Sequence, residues 1–466
     1  MTDEAIMKKL LTYSAISLLA TVSAAGYAKV SEEEAARLGK DLTPVGAEKS
    51  GNADGTIPAW TGSMTTVPEG LEYGGDGTPL PDPYADEQPL FSIDATNVDG
   101  HAEKLTAGMV ALIKLRPDTY RMDIYPSHRD GGYSDIQVER ARWNAVNTEL
   151  ANDGETIVNW TGGVAFPIPK TAMEVMWLNR TGGLPAPVVY GEYTNIAKFS
   201  NGSTNIEGNR IDTTYIYSNT STPVGTTEQE LGSTLFRSLG INTLPASRKG
   251  EMNMVHDPVD YTSSARKAWT YLPGTRRVRL APNLGFDTPN GPGGLMTVDD
   301  NQGFNGAFEK YDWKLIGKKE IYIPYHNYKL DEPGLDYDTL LHVGHINPDY
   351  MRWELHRVWV VEATLKQGER HLYGRRVFYI DEDHQSIAAI DNYDNRGEIY
   401  RAGLIPNVYN FAIQGYVARH NIFYDLQSGH YVVLRLINST GAPLYAAEPK
   451  DPEYYTPSNL RRLGRR

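Results

Sequence analysis

The chain has 466 residues, enough for two or three ordinary domains or one large elaborated β domain. A formal net charge of −13 excludes nucleic acid as a partner, because phosphate binding needs clustered cations. The absence of cysteine excludes disulfides, an acylated lipobox cysteine, a thiolate nucleophile and Cys-ligated zinc.

Lys8-Lys9, the apolar run from Leu10 to Val22 and the small residues ending Gly26-Tyr27-Ala28 have the order of a secretory signal. Met7 is the more natural start, since Asp3 and Glu4 sit oddly before such a segment. A signal peptide over residues 1–28, cleaved after Ala28, is expected, and with it a periplasmic protein. The run is shorter than the ~20 residues that span a bilayer; a retained anchor is the alternative. Ser31 to Gly39 predicts a short helix with Ser31 as N-cap and acidic residues in its first turn. From Thr43 to Pro89 the chain is rich in Gly, Pro, Asp and Thr, an irregular segment expected to lie over a folded body with Trp60 as a pinning contact. A helix is predicted over Gly100 to Leu115, from Leu105, Met109, Leu112 and Ile113 at helical spacing, with Pro117 stopping it. Further helices are predicted over Ile136 to Leu150 and Thr171 to Asn179.

From Val188 onward the pattern is of short strands and turns. Trp269 to Leu272 and Arg277 to Leu280 predict a hairpin around Pro273-Gly274, a type II turn signal, with Val278 and Leu280 inward. Tyr311 to Pro324 adds another element. Arg352–Lys366 and His371–Tyr393 form a long meander. Its first strand places Trp353, Leu355, Trp359, Val361 and Leu365 on one face and Glu354, His356, Glu362 and Thr364 on the other, because strand side chains alternate. Phe423 to Ile437 reads as a hairpin turning at Ser428-Gly429. The organisation expected is a signal peptide (1–28), N-terminal helices and a wrapping segment (29–150), a β-rich domain (151–440) and a basic, solvated tail (441–466).

No catalytic set emerges. His342 and His345 have zinc-like spacing, and His356 follows, but further ligands in context are missing; hydrogen-bonded or surface histidines are the simpler reading. Asp381-Glu382-Asp383 and Asp391/Asp394 would suit a carboxylate pair, yet Asp, Asn and Gly are ordinary turn residues at strand ends. No nucleophile elbow, P-loop or dinucleotide fingerprint is present. Neither an enzyme, a metal nor a cofactor is therefore expected. A hydrophobic cavity lined by Trp269, Tyr271, Leu272, Trp353, Leu355, Trp359 and Val361 fits the pattern better; the alternative is that these residues form the core beneath the helices.

The strings Ala268-Trp269-Thr270-Tyr271-Leu272-Pro273-Gly274-Thr275-Arg276-Arg277-Val278-Arg279, Tyr311-Asp312-Trp313-Lys314 and Arg352-Trp353-Glu354-Leu355-His356-Arg357-Val358-Trp359-Val360-Val361-Glu362 resemble the exported Gram-negative family of domain of unknown function 1329. Its members are labelled outer-membrane lipoprotein-sorting protein. The 166–170 and 55–62 segments resemble it too. The resemblance implies an α+β, mostly β fold of the LolA and LolB kind: an open antiparallel half-barrel covered by helices, here with a large N-terminal elaboration. It implies a periplasmic carrier or sorting factor for a lipidic ligand or lipoprotein. Implied partners are an outer-membrane β-barrel protein and a resistance-nodulation-division type transporter. A non-carrier adaptor of an export assembly is the alternative.

Overall fold

β-Branched and aromatic residues fit a pleated, half-buried surface, and from Val188 onward they supply nearly all the strands. The computed structural model describes residues 29–182, 186–281 and 286–465. One meander contains β3 (Val188–Lys198), β4 (Thr204–Tyr215), β5 (Thr234–Leu244), β6 (Met252–Pro258), β7 (Lys267–Leu272) and β8 (Arg277–Leu280). A second contains β9 (Tyr311–Pro324), β10 (Trp353–Leu365), β11 (Arg375–Asp381), β12 (Ile387–Tyr393), β13 (Ile399–Leu404), β14 (Asn421–Asp425) and β15 (His430–Leu436). β15 pairs antiparallel with β3 and joins the two meanders. A small pair, β1 (Phe91–Ile93) and β2 (Met122–Ile124), meets β10 where Trp353 lies beside Ile124. These fifteen strands form one sheet, and among the described residues its ends do not pair with each other. The fold is α+β, mostly β: an open antiparallel half-barrel with helices over it.

The sheet is covered on both faces. Over one lies helix α1 (Ala107–Leu115), whose Met109, Leu112 and Ile113 pack with Val358, Val360, Tyr379, Ile422 and Val433. Thr106 caps it, accepting from the Met109 N–H at 3.2 Å, so the predicted longer helix breaks before this cap. Helix α2 (Asp135–Asn147) starts with a Ser134–Gln137 capping box and is followed by a short strand rather than continuing to Leu150. Over the other face lies α3 (Ala172–Thr181), opened by a Thr171–Glu174 capping box. Its Val175, Met176 and Trp177 pack with Val361, Phe378, Ile380, Ile390 and Phe423. Successive residues of β10 and β11 thus enter opposite cores, and each fully buried aliphatic or Phe side chain contributes about 1.5–3 kcal/mol.

Residues 43–89 contain no helix or strand and run as a strap over the body. Trp60 Nε1–H donates to the Gly131 carbonyl at 3.0 Å and its ring stacks on Tyr133. Further along, the Asp76 carboxylate accepts from the Tyr445 and Ala446 N–H groups at 2.9 and 2.7 Å.

Two local expectations need correction. The β7–β8 hairpin has its predicted register, but the left-handed residue of its loop is Arg276 (φ 52°) and not Gly274. The loop is therefore a helical turn, with the Leu272 carbonyl accepting from Arg276 N–H at 2.9 Å, not a type II turn. Leu280 is 64% exposed at the end of β8, an edge strand of the sheet. At the C-terminus, α4 (Pro457–Leu463) buries Leu460 against Tyr271, Met252 and Met254 while Arg461 and Arg462 remain exposed. The expected signal peptide lies outside the described residues. Among the described residues no helix is long and apolar enough to cross a membrane.

Candidate functional site

Where β10 begins and β11 ends, a set of ionisable side chains is buried rather than solvated. β10 carries Glu354 and His356, both fully buried. The turn from β11 to β12 carries Asp381, Glu382, Asp383 and His384, all buried. Asp381 builds that turn: its Oδ1 accepts the N–H groups of Asp383 at 3.0 Å and His384 at 2.8 Å, the Asx geometry that short acidic side chains favour. These acids are turn residues, as expected, but not exposed ones. The strap and the loop before α2 cover them.

Arg129, from that loop, forks onto Asp383 with bonds of 2.7 and 2.9 Å. Its Nη2 also donates to the Glu48 carbonyl of the strap at 2.6 Å. Glu354 is the hub on β10: it accepts from His326 Nδ1 at 2.9 Å, Arg352 Nε at 2.7 Å and His356 Nε2 at 3.1 Å. Burial opposes its ionisation, but His326, His356 and Arg352 hold its carboxyl well below the usual range. An ionised Glu354 only accepts, so His356 donates to it through Nε2–H. Burial and the like charge of Asp383 push Asp381 up to about 7, against the pull of His356. Burial also works against Asp383, yet Arg129 holds it below its ordinary value. Desolvation and the neighbouring His356 bring the His384 imidazole down to about 3.

Two cavities flank this region. The first, about 420 Å³, is lined among others by Tyr133, Arg140, Asp383, His384, Phe411 and Tyr416. The second, about 430 Å³, lies beneath the strap, with walls from Tyr73, Leu80, Tyr328, Ile437, Pro443 and Tyr445. Asp76, Asp82, Lys329 and Glu332 also line it, together with Arg419 and Asp331, which form a bidentate pair at 2.7 and 3.0 Å. Both volumes fall within the usual range for small-molecule sites, roughly 300–1,000 Å³.

Residues 92–461 match the family model described as Protein of unknown function (DUF1329). The chain belongs to this family. Uncharacterized protein PA3922 of Pseudomonas aeruginosa is 40% identical over 472 residues, covering 98% of this chain and 99% of its own. The crystal structure of a DUF1329 family protein from Desulfovibrio piger is 14% identical with a TM-score of 0.42, covering 62% of this chain and 95% of that chain. A putative outer membrane lipoprotein-sorting protein domain from Vibrio parahaemolyticus is 15% identical with a TM-score of 0.41, covering 62% of this chain and 96% of that chain.

In this DUF1329 chain the seven residues expected to line one cavity are dispersed. Trp353 and Leu355 belong to the core beneath α1. Val361 is buried in the α3 core, with half-buried Trp359 packed against it under the Lys318 ammonium, 4.6 Å from the ring. Tyr271 and Trp269 pack with the C-terminal helix, Tyr271 Oη–H donating to the Gly464 carbonyl at 2.7 Å. Leu272 is half-buried at the end of the same strand. None of the seven lines either large cavity. His345 is buried and hydrogen-bonded to the Ile346 carbonyl and Thr119, both at 2.8 Å, while His342 is exposed. Sequence reasoning missed Arg129, His326 and His384. The available signal was the alternation placing Glu354 and His356 on one face of β10, opposite a run of four polar residues after β11.

Proposed function

We propose that this DUF1329 protein is an exported carrier that holds a hydrophobic ligand, with a lipid acyl chain as the fitting class, in the cavity beneath the strap. The observation that supports this reading is the composition of that cavity: aromatic and aliphatic walls predominate around about 430 Å³, with the Arg419–Asp331 pair satisfied internally and Asp76 bonded to backbone N–H groups. Burying an acyl chain yields roughly 0.8 kcal/mol per CH₂, so apolar walls alone provide useful affinity. The strap segment forms one side of the cavity through Tyr73 and Leu80, and moving it would admit or release ligand without unfolding the sheet. The signal-like N-terminus supports a periplasmic location. An outer-membrane β-barrel protein and a resistance-nodulation-division type transporter are the partners this reading favours.

The test is native and lipidomic mass spectrometry of protein purified from the periplasm without detergent, alongside Ala442→Trp, which fills the cavity. A stoichiometric lipid adduct on the wild type, lost in the folded variant, is the expected result. A clean apo mass with no uptake of an acyl probe would sink the carrier and leave the adaptor reading.

A further inference from the structure

We propose that the buried cluster at the ends of β10 and β11 binds one divalent first-row transition cation, through His356 Nδ1, Asp381 Oδ2 and Asp383 Oδ2. This site is separate from the cavity beneath the strap and does not depend on the carrier reading. His356 Nδ1 lies 3.9 Å from Asp381 Oδ2 and 4.0 Å from Asp383 Oδ2. One ligand atom from each of the three residues lies within 4.8 Å of the others. With metal–ligand bonds of about 2.1 Å, ligand atoms on a tetrahedral ion lie about 3.4 Å apart, so the set closes on an ion by side-chain shifts of roughly 0.5–1 Å.

Three further observations point to a cation. The first is a pair of atoms without hydrogen-bond partners: His356 Nδ1 and Asp381 Oδ2 are both buried and unpaired. Such orphans are costly, about 1–3 kcal/mol each, and these belong to one cluster. Tyr325 stacks on the His356 ring at 3.8 Å, and His384 Nε2 is 3.6 Å from Asp381 Oδ1.

The second is the support around the ligands. Histidines that bind metals donate their other ring N–H to a carboxylate, and ligating carboxylates are themselves hydrogen-bonded. Glu354 receives His356 Nε2–H, and Arg129 clamps Asp383, so both ligands are oriented with their remaining lone pairs inward. His384 is not a ligand: its Nδ1 accepts the Ser386 N–H at 3.1 Å, which leaves the proton on Nε2.

The third is charge. The ion-paired network joins six carboxylates (Glu48, Glu87, Glu354, Asp381, Glu382, Asp383) to four cations (Arg129, Lys318, Arg352, Arg357). Asp383 is paired with Arg129, whereas Asp381 has no arginine or lysine ion pair among the described residues, so a bound cation would be its counter-charge. An imidazole nitrogen with two carboxylates suits Zn²⁺ or Mn²⁺; Ca²⁺ and Mg²⁺ favour all-oxygen sets and soft Cu(I) favours sulfur.

The decisive experiment uses the tag-free mature protein, stripped with dipicolinate and then titrated with Zn²⁺. Bound metal is counted by mass spectrometry after gel filtration, and Co²⁺ is substituted for visible absorption. One ion per chain is expected, with Co²⁺ ligand-field bands from mixed nitrogen and oxygen coordination. His356→Gln and Asp381→Asn should each weaken binding by about tenfold or more, and Glu354→Gln by about tenfold, while exposed His342→Gln leaves it unchanged. A wild type that retains no ion overturns the proposal, and so does a folded His356→Gln protein that binds as tightly as wild type. If the variants do not fold, the wild-type stoichiometry and Co²⁺ spectrum decide alone.

Discussion

At Asp391 the N–H groups of Ala107 and Gly108 converge on one carboxylate, each at 2.9 Å, and Tyr379 donates to it at 3.1 Å. A negative side chain at a helix N-terminus satisfies orphan donors and meets the positive end of the helix dipole. Burial nonetheless raises the Asp391 pKa, with the backbone donors acting against it. Asp391→Ala should lower stability by about 1–2 kcal/mol, read as a shift in the urea midpoint at unchanged slope; an unaltered midpoint would refute the capping role. Nothing local marks this residue. Asp391 and Asp394 look alike in sequence, yet one caps a helix 284 positions away and the other pairs with Arg396 on the surface. The same holds for Glu354 and His356. Alternation put them correctly on one face of β10, but that the face is covered depends on residues 43–64 and 126–133, which arrive from far along the chain.

α1 shows what an element needs to dock on a sheet. A Cβ at Gly108 would stand 2.6 Å from Asp391 Oδ1 and 2.7 Å from Ala402 Cβ, so only glycine lets the first turn approach β13. In an isolated helix Gly→Ala gains up to about 1 kcal/mol. Here the clash should outweigh that gain, and Gly108→Ala is expected to destabilise by about 1–3 kcal/mol, measured as a fall in thermal midpoint. A rise would mean that helix and sheet are less closely packed than described. β9 shows the opposite demand, an edge that must not dock. It carries Lys314, Lys318 and Lys319 and a bulge at Leu315/Gly317, where Gly317 adopts φ 129°, devices that discourage edge-to-edge pairing. The pairing of β9 with β10 is not legible from either strand, whereas the extent of β9 is, because the pattern over Tyr311 to Pro324 predicts an element with the same limits.

Across the molecule, charge is buried in several separate clusters besides the candidate metal site. Arg376 is fully buried and bonds Asp299 at 2.8 Å and Asp300 at 2.7 Å; Arg419 pairs Asp331. Burial alone would raise both acids, but Arg376 with His371 brings Asp299 down to about 2, and Arg419 with His420 lowers Asp331 further. A carboxylate with a depressed folded pKa stabilises fully above its unfolded value, about 3.9, and loses that contribution as pH falls through the folded value. The contribution of these two acids to the unfolding free energy should therefore be steady from pH 7 to about 4 and fall between about 4 and 2. Arg376→Met should cost about 3–5 kcal/mol at neutral pH by leaving the acids unpaired, and should flatten the acid slope. A slope that stays the same would detach Asp299 from acid unfolding.

The sequence by itself determined the β-rich class, the extent of β9, the approximate places of α1, α2 and α3 and the family, because period-two and period-3.6 patterns act within a few positions. Only the tertiary structure decided that both faces of the sheet are covered, that the aromatic stripe of β10 is divided between two cores, and that the strap closes over an apolar cavity. It also gathered His356, Asp381 and Asp383, with Arg129 and Glu354, into one buried cluster. Those outcomes depend on which distant segment excludes water from a given face, and burial, rather than residue type, sets both the cost and the chemistry of a charged side chain.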